Sequence, residues 1–110
     1  MDIVIRTVGL ELTKSQEATI EEKIGRIEHY GPSIVRARVF VHKESAHASK
    51  RQYSVRVLAE IRGADVTAEE AGPDVISALD IVAEKMERRL RKHKTGRLAR
   101  REKLSARRKD

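Results

Sequence analysis

Two stretches of this chain alternate apolar and polar residues with a period of two. Val35, Ala37, Val39 and Val41 point one way, with Arg36, Arg38, Phe40 and His42 between them, and Tyr53, Val55, Val57, Ala59 and Ile61 repeat the pattern. Successive side chains on a strand project to opposite faces, so each stretch buries one face and leaves the other in water. A sheet with one apolar face requires a covering layer, and the cover must come from segments of helical period.

Two such segments flank the strands. In the first, Ile20, Ile24 and Ile27 recur at helical spacing among charged residues. Thr13 suits the N-cap, and Gln16 three residues on completes a capping box. Tyr30-Gly31-Pro32 is the expected stop, since glycine permits a left-handed cap and proline cannot continue the helix. In the second segment Asp74, in Gly72-Pro73-Asp74, is a plausible N-cap. Stepping about 100° per residue places Val75, Ile76, Leu79, Val82, Ala83, Met86 and Leu90 on one arc, the core stripe. This helix is expected to end between His93 and Thr95, near Gly96.

Ile3, Val4 and Ile5 read as a first strand. Lys43 to Lys50 has no period and reads as a loop. Arg62-Gly63-Ala64-Asp65 is a hairpin-like connection into a short fourth strand, Val66 to Ala68. The order is βαβββα. A right-handed crossover makes the first two strands parallel if they are neighbours, and the other connections suit antiparallel pairs. The expected fold class is α+β: a two-layer domain in which a four-stranded mixed sheet carries both helices on one face. Residues 1–95 form this domain, and 96–110 are expected to be a disordered basic tail or linker stub.

Composition narrows the function. Without Cys there are no disulfides, thiolate metal sites or Cys nucleophiles. The start MDIVIRTVGLEL lacks the basic region and long apolar core of a signal peptide, and no stretch approaches the roughly 18 apolar residues of a membrane span. His29, His42, His47 and His93 are scattered, with no acidic cluster to complete a metal set. There is no Gly-rich phosphate loop and no nucleophile elbow. Glu69-Glu70 reads as turn chemistry at a helix start. Neither an enzyme nor a cofactor is expected.

The charge is the positive signal. Residues 86–110 carry twelve Lys or Arg against three acidic residues, more than the +7 of the whole chain, so the remainder is slightly acidic. A concentrated basic end on a near-neutral body suggests a polyanionic partner. Lys85, Arg88 and Lys92 make a ridge at i, i+3 and i+7 opposite the core stripe, flanked by Arg89 and Arg91. Such a ridge can meet successive phosphates. The plainer role is a solvated face that complements the helix dipole; the run through Lys94, Arg97, Arg100 and Arg101 exceeds what one helix end needs and favours nucleic acid. Lys23 and Arg26 either extend this surface or pair with Glu21, Glu22 and Glu28. Arg36 and Arg38 share a strand face with Phe40, which suits either packing or single-stranded RNA; with aromatics at only 3%, packing is favoured. Ile81 lies among the basic positions, either as a lone exposed apolar residue or as a partner contact. The competing reading of the whole is a protein-interaction module with a solubilising basic tail.

Several segments together resemble the ribosome hibernation promoting factor family, also called the ribosome-associated inhibitor or sigma-54 modulation protein family. These are DIVIR, Leu12-Thr13 opening the first helix, EEKIGRIEHY, and above all VTAEEAGPDVISALDIVAEKMERRLRKHK. The resemblance covers residues 1–95. It implies a fold like a double-stranded-RNA-binding domain with an extra strand. It implies a cytoplasmic protein bound to the small ribosomal subunit and its 16S-type RNA, in the messenger and transfer RNA channel at the A and P sites. Translation would be blocked by exclusion and idle ribosomes preserved, without catalysis, small-molecule substrate or membrane. The residues it puts on ribosomal RNA are Lys85, Arg88, Arg89, Arg91, Lys92 and Lys94, with Lys23 and Arg26. The basic tail departs from the short relatives, which end early or carry an acidic tail. Both a short form and the first part of a long form remain open.

Overall fold

The sheet has the order β1-β2-β3-β4, formed by β1 (Asp2–Val8), β2 (Ile34–Lys43), β3 (Tyr53–Ile61) and β4 (Ala64–Gly72). The computed structural model describes residues 1–30, 33–44 and 51–108, the side chains of 30 and 94–108 excepted. β1 pairs parallel with β2, and β2–β3 and β3–β4 are antiparallel. Helix α1 (Lys14–Gly25), a 3₁₀ turn (Arg26–Tyr30) and helix α2 (Val75–Arg108) complete a two-layer βαβββα domain.

The alternation works as expected in the middle of the sheet. Ala37, Val39, Val41, Val55, Val57, Ala59, Val66 and Ala68 are buried against Ile20, Ile24, Ile27, Leu79, Val82, Met86 and Leu90. Thr13 and Gln16 close the reciprocal capping box, at 3.1 and 2.9 Å. Asp74 accepts from the Ser77 amide at 2.8 Å and so starts α2. Gly63 turns the β3–β4 hairpin at φ 87, a conformation side chains other than glycine rarely adopt.

Four local expectations change. Val35 is 64% exposed, whereas Ile34 is buried. The β2–β3 register shifts between Ile34 and Arg36. A bulge there inserts one residue and flips the phase of the alternation. The first helix tightens into a 3₁₀ turn after Gly25, a common ending that still buries Ile27; Gly31 and Pro32 lie outside the described residues, as do 45–50 with His47. β4 is nine residues long and includes Glu69 and Glu70, which are strand residues and not turn residues. Finally, α2 does not stop near Gly96. It runs to Arg108. A lone interior glycine costs about 1 kcal/mol relative to alanine, and the Lys, Arg, Leu and Ala around it are strong helix formers.

Candidate nucleic-acid interface

α2 lies on the sheet with Val75, Ala78, Leu79, Val82, Met86 and Leu90 buried. That seating fixes the direction of the other described side chains of the helix, those up to His93. At about 100° per residue, Lys85, Arg88, Arg89 and Lys92 fall on the flank towards β4, where they line one shallow concavity. Ile81, 40% exposed, continues this flank one turn earlier.

The four cations divide into two held and two free. Lys85 Nζ donates to Glu70 Oε2 at 2.9 Å and to the main-chain oxygen of Glu69 at 3.3 Å. Arg89 Nη1 donates to the main-chain oxygen of Thr67. β4 is an edge strand, and residues 67 and 69 turn their carbonyls away from β3. Residues four apart on a helix are separated by about 6 Å of rise, and alternate residues of a strand by about 6.8 Å. The two repeats nearly match, so α2 sets one cation on each outward carbonyl and closes the edge to another strand. Arg88 and Lys92 are exposed and meet no acidic partner among the described residues.

Glu70 is the residue that sequence reasoning missed. Period two along β4 places it on the helix face with Val66 and Ala68, and that signal was available once the strand was extended. Its carboxyl accepts from Lys85 and, at 3.0 Å, from the Ala71 amide. The Lys85 hydrogen bond first, then the Ala71 amide, hold its pKa below the ordinary 4.5. Because the folded pKa is depressed, the pair stabilises the fold above the ordinary value, and this contribution is lost as pH falls through the folded one. The melting midpoint of Glu70→Gln is therefore expected to lie below wild type at neutral pH and to converge on it as the pH falls past the ordinary carboxylate value and through the lowered folded one. Melts across this range check the point; a pH-independent gap would show that the carboxylate charge is not involved.

The other expected residues lie elsewhere. Arg91 pairs with Glu87 at 2.8 Å, one turn back. Lys23 bonds Asp80 across the α1–α2 contact, and Arg26 bonds Glu22. Lys23 and Arg26 line a separate concavity with Asp80, Glu84 and Glu87, and so do not join the ridge. The side chain of Lys94 lies outside the described residues. On the open sheet face Arg38 and Arg36 reach Glu60 at 3.1 and 3.9 Å, and Arg56 stands 5.9 Å from the Phe40 ring centre. Arg36 and Arg38 are thus paired with Glu60 on this face, and Phe40 lies beside Arg56 outside the core cluster. Among the described residues no group of His, Asp or Glu could hold a metal ion, and no helix is long and apolar enough to cross a membrane.

Fold and site together define a class: a two-layer α+β domain with an open cationic flank on its last helix. Two solved structures share the fold. The N-terminal domain of Thermus thermophilus Protein Y has a TM-score of 0.68 at 22% identity, covering 84% of this chain and 99% of that one. A ribosomal subunit interface protein from Coxiella burnetii has a TM-score of 0.71 at 18% identity, covering 86% and 99%. The sequence model described as sigma 54 modulation protein / S30EA ribosomal protein matches residues 3–97, and the chain belongs to that family. It is 32% identical over 87 residues to a ribosome hibernation promotion factor of Deinococcus radiodurans, covering 79% of this chain and 46% of the relative. It is 30% identical over 94 residues to a ribosome hibernation promoting factor of Azotobacter vinelandii, covering 86% and 83%. Thus the chain spans about half the length of some curated relatives and most of others.

Proposed function

We propose that this chain is a ribosome hibernation factor. It binds ribosomal RNA of the small subunit through the β4-side flank of α2, occupies the messenger and transfer RNA channel at the A and P sites, and prevents translation by exclusion while preserving idle ribosomes. No bond is made or broken; binding is the whole activity. A ribosome-bound role also places the protein in the cytoplasm. The observation that carries the reading is the grouping of Lys85, Arg88, Arg89 and Lys92 on one open flank, within the segment matched by the family. Guanidinium and ammonium groups about one helical turn apart can engage successive phosphates. Two of them are already fixed by β4, which reduces the side-chain ordering that binding requires.

The direct test is sedimentation of the protein with purified ribosomal subunits. Expected is co-migration with the small subunit, weakened by added messenger or transfer RNA and by salt. Migration with the large subunit alone, or retention unaffected by saturating messenger and transfer RNA, would sink the channel assignment.

A further inference from the structure

Glu70 poses a question of sign. A carboxylate at the rim of a cationic array repels an incoming phosphate, so removing it should tighten RNA binding. The contacts argue the reverse. Glu70 is half-buried on the inner face of β4, fixed by the Ala71 amide, and it grips Lys85 at 2.9 Å while the Glu69 carbonyl takes a second contact at 3.3 Å. Lysine has a four-carbon stem and much rotamer freedom to lose on binding. Arg89, one turn on, is held in the same way by Thr67. The edge of β4 is therefore a cradle that presents two cations in fixed register beside the free Arg88 and Lys92.

We infer that Glu70 is a positioning residue for RNA binding, which orders Lys85 within the array and thereby strengthens binding despite its own negative charge. The inference rests on the proposed contact between this flank and ribosomal RNA. Glu69 supplies a matched control: it is the adjacent carboxylate, exposed, and strand alternation turns it to the opposite face. Glu69→Gln and Glu70→Gln change the net charge identically, so a difference between them cannot arise from charge counting.

The experiment compares binding to purified small ribosomal subunits at constant salt, well below every variant's melting midpoint, for wild type, Glu69→Gln and Glu70→Gln, each with and without Lys85→Ala. Glu69→Gln is expected to bind as tightly as wild type or slightly more tightly. Glu70→Gln is expected to bind about threefold to tenfold more weakly, the loss that follows from leaving one rotamer-rich side chain unordered. In the Lys85→Ala background Glu70→Gln should no longer weaken binding, because the residue it positions has gone. Tightening by Glu70→Gln equal to that of Glu69→Gln would overturn the inference. So would an undiminished weakening in the Lys85→Ala background, which would mark a general structural role. Failure of wild type itself to bind would instead refute the ribosomal reading, and the inference with it.

Discussion

Replacing Leu79 by Ala is expected to lower the free energy of unfolding by about 2–5 kcal/mol, the usual range for emptying a leucine site in a packed core. A domain of this size has only about 5–15 kcal/mol in all. Leu79 is fully buried, one turn before Val82 and on the same stripe as Met86 and Leu90. The layer beneath it is made of β-branched and small residues, Val57, Ala59, Val66 and Ala68 among them, with few rotamers through which to refill the space. The cost should therefore lie in the upper half of the range. Denaturant unfolding measures it, with the m value as the check that the unfolded state is unchanged. Ile81→Ala, on the same helix but 40% exposed, is the internal comparison and should cost much less. Equal costs at the two positions would mean that α2 is rotated about its axis and that Lys85, Arg88, Arg89 and Lys92 do not share the flank towards β4.

Most of that placement was legible in the sequence, because it rests on local periods. The capping box at Thr13 and Gln16, the alternation of Val55, Val57 and Ala59, and the arc from Val75 to Leu90 each concern residues whose geometry follows from their neighbours along the chain. The misreadings occur where one residue shifts a phase or a distant segment decides. The bulge between Ile34 and Arg36 adds one residue and exposes Val35, and nothing in a run of β-branched residues marks it. Ala78 is fully buried but is too small and too common on helix surfaces to have been assigned to the stripe from pattern alone. At the candidate site the sequence identified the cations but not their state. Lys23 meets Asp80 across fifty-seven residues, and Lys85 meets Glu70 across fifteen; such pairings depend on how α2 lies against α1 and β4. Charge density is a property of sequence, whereas which charges are already neutralised is a property of the fold.

That distinction decides how the interface should be tested. Reversing Lys85 and Arg88 together is the natural choice from spacing alone, but Lys85→Glu would set a second carboxylate against Glu70 and release the β4 edge, mixing a folding defect with any loss of binding. Arg88→Glu with Lys92→Glu is the cleaner pair, since both side chains are exposed and hold nothing else in place among the described residues. Counterion release makes each phosphate contact worth about one power of ten in affinity near 0.1 M salt. Losing two contacts should therefore weaken binding to small subunits on the order of 100-fold, and the added repulsion should increase the loss. The slope of log affinity against log salt should fall by about two, so the curves of wild type and variant should converge as salt rises. The melting midpoint should stay within a few degrees of wild type, because surface substitutions away from specific contacts change stability little. A variant that keeps the wild-type salt slope would show that the phosphates are met elsewhere on the molecule. A variant that loses affinity equally at every salt concentration would show that these two residues make a short-range contact of another kind.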